Sequence, residues 1–169
     1  SVNSSTNKAT FTSLVYNDKA VPSFLAQKGY EHLGDSAVHA SSGIIISPFE
    51  RQPSYINPAL ALHDLQTLKF INYTVAPNQH HCPWVAVEPV TNSVLSSEYS
   101  NVTEVYLYSF PELQERNFKI KLVPPSSNPK LLGENGLMSV QGGVVKNNIL
   151  YLTTDQRVNP ASGYDLFAF

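Results

Sequence analysis

Few residues of this chain are suited to chemistry, and they stand in short polar runs beside apolar stretches. Asp35, the pair His80 and His81, and Gln141 each come directly before such a stretch, and Glu98 directly after one. Imidazole nitrogen suits zinc, and carboxylate with amide oxygen suits calcium. Asp35 and His81 are therefore the candidate metal ligands. Neighbouring strand residues point to opposite faces, so only one histidine of the pair can face a shared site. His81, next to the Cys82-Pro83-Trp84 corner, is the better placed.

Each of these residues also has a purely structural role open to it. Asp35 can cap a turn by accepting backbone N–H bonds. His80 and His81 can be loop residues, Gln141 an amide that satisfies strand ends, and Trp84 a core side chain. Glu50 and Glu98 occupy matching places in successive segments. That favours one structural job for both, a carboxylate accepting backbone N–H groups. Tyr55, Tyr99, Tyr106 and Tyr108 are candidates for a binding surface or for packing.

No nucleophile motif is present: no G-x-S-x-G, no phosphate-binding loop, no H-E-x-x-H. Cys82 is the sole cysteine, so no disulfide can form within the chain. Its two readings are a small buried apolar residue beside Trp84 and a bridge to another chain.

The elements that must hold these residues are short strands. Twelve prolines and eight glycines interrupt the chain. Between them lie β-branched and aromatic runs at 11–16, 38–40, 43–47, 59–63, 70–75, 84–87, 94–97, 104–108, 118–122, 143–145, 149–153 and 164–169. Such runs between turn residues read as antiparallel strands. Residues 65–68 and 113–116 read as loops, and helix signals are almost absent.

The runs repeat. Segments 35–50 with 59–64, 84–99 with 104–109, and 142–155 with 164–169 can be laid over one another. Each has a small apolar strand, a tight turn (Ser42-Gly43, Thr91-Asn92 or Asn147-Asn148), a second apolar strand ending in Ser or Thr and an acid, then a third strand of alternating large residues. A more polar fourth strand follows at 70–75 and 118–122. Four antiparallel strands in about 50 residues is the pattern of a β-propeller blade. The expected fold is all-β, with about three to four blades over residues 11–169 after a flexible segment at 1–10. In such a ring the candidates Asp35, His81, Gln141 and Glu98 lie at the axial channel, where polar groups from several blades converge.

The runs Gly29-Tyr30-Glu31-His32-Leu33-Gly34-Asp35, 81–89, 95–99 and 140–143 resemble a poorly characterised family of secreted propeller-like proteins. More loosely, the chain is similar to six-bladed propellers of the gluconolactonase and strictosidine-synthase type. The resemblance implies calcium at the axis, held by Glu, Asn and Asp; a complete set of such ligands is not found in this sequence. It also implies more blades than the repeats supply, so the ring is expected to be completed by another polypeptide or a second copy.

Bulk properties narrow the function classes. The net charge is −2 with 14% charged residues. No basic run offers a surface for nucleic acid. No apolar stretch approaches the about 18 residues needed to span a bilayer. The sequons at Asn3, Asn72 and Asn101 point to secretion and glycosylation; residues 1–10 carry no apolar leader, so a signal peptide would already have been removed. The leading expectation is an extracellular, glycosylated propeller subunit with a binding or structural role. The alternatives are a metal-dependent hydrolase or lyase at the axis, and a lectin. The occupant would be a small molecule or a glycan.

Overall fold

Apolar runs this short, punctuated by Pro and Gly, cannot build helices with a buried face, and antiparallel sheets form instead. The structure, a computed structural model, describes residues 2–3, 8–9, 15–116, 118–123, 136–155 and 165–169. Strands β1 (Val2–Asn3) and β2 (Lys8–Ala9) pair with each other. A short helix, α1 (Ser23–Ala26), follows. The expected strand at 11–16 falls largely outside the described residues, and Val15 and Tyr16 are not in a strand.

The first large sheet contains β3 (Tyr30–Leu33), β4 (Ala37–His39), β5 (Ile44–Arg51), β6 (Ala59–Asp64) and β7 (Phe70–Val75). Its innermost position is shared. β4 pairs with the first half of β5, and β3 pairs with the second half. Pro48 accounts for the break. Its carbonyl accepts the Gly34 N–H at 3.0 Å, so its nitrogen faces the same inner side and has no hydrogen to give there. One residue on, Asp35 bonds instead to the segment that leads into the next sheet. β3 was not expected from the sequence, because its burial is that of a polar edge: only Tyr30 is buried.

The second sheet is β8 (Ala86–Glu88), β9 (Ser93–Ser96), β10 (Glu104–Ser109) and β11 (Ile120–Lys121). The third is β12 (Val140–Lys146), β13 (Ile149–Thr154) and β14 (Asp165–Ala168). Strand pairs within the sheets are antiparallel, and no sheet among the described residues closes on itself. The run at 118–122 is strand only over Ile120–Lys121. The turn at Asn147-Asn148 joins Lys146 to its partner Ile149. Both asparagines have positive φ, 52° and 62°, which suits the right-handed twist of a tight hairpin.

The sheets are stacked in series by their cores. Ile46, Leu60, Leu62, Val85, Val94, Tyr106 and Tyr108 fill the space between the first and second sheets. Ala86, Leu95, Val105, Val140, Leu150 and Leu152 gather with Trp84 between the second and third. On its other face the first sheet buries Phe49, Ala59 and Ala61 against Leu25 of α1. Each large apolar side chain fully withdrawn from water contributes about 1.5–3 kcal/mol, so these layers, rather than the strand edges, hold the sheets in order.

The first strands of successive sheets meet: β8 touches β4 on one side and β12 on the other. Asp35 and Trp84 form a parallel bridge, through Asp35 N–H to Pro83 O at 2.8 Å and Val85 N–H to Asp35 O at 3.0 Å. Gly143 of β12 lies so close to the Trp84 ring that a Cβ there would be 2.4 Å from Cε3. Only glycine permits this approach.

Candidate functional site

The segment 79–85 crosses from the first sheet to the second, and two carboxylates hold it. Glu50, near the end of β5 and 2% exposed, accepts the Cys82 N–H at 2.7 Å. Glu98, just past β9, accepts the N–H groups of His80 at 3.0 Å and His81 at 2.8 Å, and the Tyr106 hydroxyl at 3.0 Å. Backbone N–H groups in a connecting segment have no ladder partner, and a carboxylate offers several acceptor sites at once. The two acids thus converge on one segment rather than serving separate sheets.

That segment presents His81. Its Nδ1 is 3.2 Å from Glu50 Oε1, and its ring stacks on Tyr55 with centroids 4.4 Å apart and 24° between planes. Tyr99 packs against the same ring, tilted by 37°, with centroids 5.7 Å apart. Tyr55 is set in place by a left-handed backbone, φ 59°. An ionised carboxylate only accepts hydrogen bonds, so the Nδ1 facing Glu50 carries the hydrogen. In the neutral ring the lone pair is then on Nε2. Among the described residues, His63 Nδ1 is the buried side-chain nitrogen or oxygen without a partner. His81 Nε2, which has no hydrogen-bond partner among them either, is therefore open to solvent. Gln141 donates to the Tyr99 hydroxyl at 3.4 Å, and His32 Nε2 is 3.7 Å from Glu50 Oε2. The result is a solvent-facing Nε2 near two tyrosine rings, a carboxamide and a second imidazole.

The ground beneath is polar but closed. Gln79, 1% exposed, donates to Ser96 Oγ and to the Ser97 carbonyl and accepts the Tyr108 hydroxyl. Trp84 Nε1–H donates to Ser97 Oγ at 2.9 Å. Burial pushes the Tyr108 hydroxyl well above its ordinary value. Gln79 was not anticipated from the sequence; the only trace of it there is the Ser96-Ser97 pair at the end of an otherwise apolar strand.

Cys82 lies in this layer, fully buried, with Sγ 3.1 Å from Ser96 Oγ. Burial raises its thiol far above the usual range, despite the Ser96 contact. A bridge from Cys82 to another chain would require this layer to open, which is the physical objection to the disulfide reading. Trp84, 0% exposed, cannot serve as a stacking platform for a sugar. Tyr106 and Tyr108 are buried in the core, whereas Tyr55 and Tyr99 are half-exposed.

Asp35 sits apart, where the three inner strands meet. Its carboxylate accepts backbone N–H groups of Gly143 and Ser36, yet partial burial outweighs them and raises its pKa. Of the sequence candidates, the structure groups His81, Glu98 and Gln141 around one patch and leaves Asp35 at the strand junction. Among the described residues, no three of His, Cys, Asp and Glu come together as a group that could hold a metal ion. Asn72 is exposed on β7, and Asn101 is exposed in a turn with φ 57°; the side chain of Asn3 lies outside the described residues.

No family model matches the chain, and no curated protein matches it. Among solved structures, the one described as "Structure of U3-55K" is similar at 11% sequence identity and a TM-score of 0.44, over 81% of this chain and 40% of that one.

Proposed function

We propose that this chain supplies a run of β-propeller blades to a secreted, glycosylated assembly, and that its role is binding, at the patch formed by Tyr55, His81, Tyr99 and Gln141. The observation that carries this reading is the meeting of inner strands at Trp84, with Asp35 bridged on one side and Gly143 pressed against the ring on the other. Sheets stacked face to face with converging first strands are what a propeller requires. Closed rings contain about four to eight blades, more than three sheets supply, and blades of another polypeptide or a second copy are the proposed completion. Val144 and Ile149, 57% and 38% exposed on the third sheet, offer an apolar face for that partner, whereas α1 covers the first sheet.

A binding role is favoured over catalysis because Glu50 and Glu98 are committed to backbone N–H groups. The patch keeps two aromatic rings and an acceptor nitrogen free for a small-molecule or glycan ligand. The test is the native mass of the secreted protein beside the intact mass of each chain. An assembly larger than the 18.6 kDa chain, with mass removable by glycosidase at Asn72 or Asn101, is expected; a stable, folded monomer overturns the shared ring.

The hydrolase or lyase reading draws on one observation, the Glu50–His81 pair at 3.2 Å, which orients an imidazole as a general base would be oriented. Metal analysis, with turnover of lactone substrates by Asp35→Asn and His81→Ala variants, separates it from binding alone.

A further inference from the structure

We propose that the cleft between the second and third sheets binds a long-chain fatty acid, with its acyl chain against the apolar walls and its carboxylate at Arg116 and Lys121. The cleft has a volume of about 570 Å³, within the range of about 300–1,000 Å³ typical of small-molecule sites. Leu95, Val105 and Leu107 of the second sheet and Leu150 of the third are buried beneath it, and Phe118 and Ile120, 57% and 45% exposed, form its lip. Such walls offer water no hydrogen bonds, so an acyl chain displaces it favourably.

Charge selects the head group. The acid that lines the cleft, Glu88, is committed to the N–H groups of Val90 and Thr91 and to the Thr91 hydroxyl. The cations Arg116 and Lys121 have no side-chain hydrogen bond or ion pair among the described residues. They also line an adjoining polar recess of about 330 Å³. There Lys119 is already paired with Glu104 at 2.9 Å and Glu115 accepts from Asn78 at 3.3 Å. Once Lys119 and Glu104 are paired, Arg116 and Lys121 stand against the single charge of Glu115 in this recess, and an apolar cleft that ends at this surplus positive charge fits a single carboxylate on a long chain. A free fatty acid is the source, rather than a membrane: the site is a concave cleft between two sheets, which takes in a single chain and not a bilayer surface.

The test is displacement of a fluorescent fatty-acid probe from the purified full chain, in whatever assembly it forms. Palmitate is compared with hexadecanol and with phosphatidylglycerol vesicles. Palmitate is expected to bind about tenfold more tightly than hexadecanol, or about 1.4 kcal/mol. Arg116→Ala with Lys121→Ala should bring palmitate down to the level of the alcohol and leave the alcohol unchanged. Val145→Trp, at the cleft wall, should block both, with thermal unfolding confirming that each variant is folded. The proposal is overturned if the folded wild type takes no palmitate, if acid and alcohol bind alike, if the charge variant has no effect, or if only vesicles bind.

Discussion

Replacing Gly143 by alanine tests the central packing of the molecule. The added Cβ would lie 2.4 Å from Trp84 Cε3 and 2.5 Å from Cζ3. Ordinary carbon contacts begin near 3.5 Å, so one side must retreat by about 1 Å. The ring has little room to do so: it is 0% exposed, its Nε1 is held by Ser97, and it belongs to the core between the second and third sheets. Alanine in a strand gains about 0.5–1 kcal/mol over glycine from the unfolded state. Overpacking a close core costs about 1–3 kcal/mol. A contact this close puts the overpacking cost at the upper end of its range, so the net expectation is a loss of about 2–2.5 kcal/mol, at about 2–4 °C in Tm for each kcal/mol at this chain length. Urea unfolding followed by the emission of Trp84, the sole tryptophan, measures it. In a Trp84→Phe background, where unfolding is followed by far-UV circular dichroism instead, the penalty should shrink, because the larger indole ring is gone. Gly142→Ala should cost less, since its Cβ would meet the side-chain ends of Asp35 and Thr153 at 2.9 Å. If Gly143→Ala unfolds like the wild type with unchanged emission, the inner strands do not meet as described, and the propeller reading loses its support.

Glu50→Ala should cost about 1–3 kcal/mol by leaving the buried Cys82 N–H without an acceptor; equal stability in a urea titration would show that another group takes over. Asp35 has a raised pKa, so the stability it contributes is present below its ordinary value of 3.8 and is lost as pH rises through the raised value. Asp35→Asn should therefore gain in Tm relative to the wild type between pH 3 and pH 7, and a difference that stays flat across that window contradicts the assignment. The Cys82 thiol, fully buried, should react with a maleimide only on unfolding, and rapid labelling of the native protein would show the layer around Ser96 to be open.

Strand positions followed from local chemistry. The apolar runs, the Asn147-Asn148 turn and the small residues of the inner strands are properties of neighbouring residues, and they were legible as sequence. β3 was not, because Glu31, His32 and Leu33 are exposed and carry no burial pattern to read. The reason Pro48 is tolerated inside β5 was also hidden, since it depends on where two other strands end.

The site divides the same way. His81, Glu98 and Gln141 could be picked out as polar residues beside apolar strands, and Glu50 and Glu98 as matching acids. Residue types alone could not show that both acids bind one connecting segment, or that Tyr55 and Tyr99 pack against His81 from separate parts of the chain. Those contacts join residues between 17 and 32 positions apart, or from a loop with positive φ, and they exist only once the sheets are stacked. The sequence by itself determined an all-β chain with repeated short strands, few charges and candidate polar positions. Tertiary structure alone decided that Cys82 is sealed in, that Asp35 sits at the strand junction, and that Nε2 of His81 is left open beside two rings. Which polar groups are satisfied depends on what long-range packing brings within about 3 Å of each one.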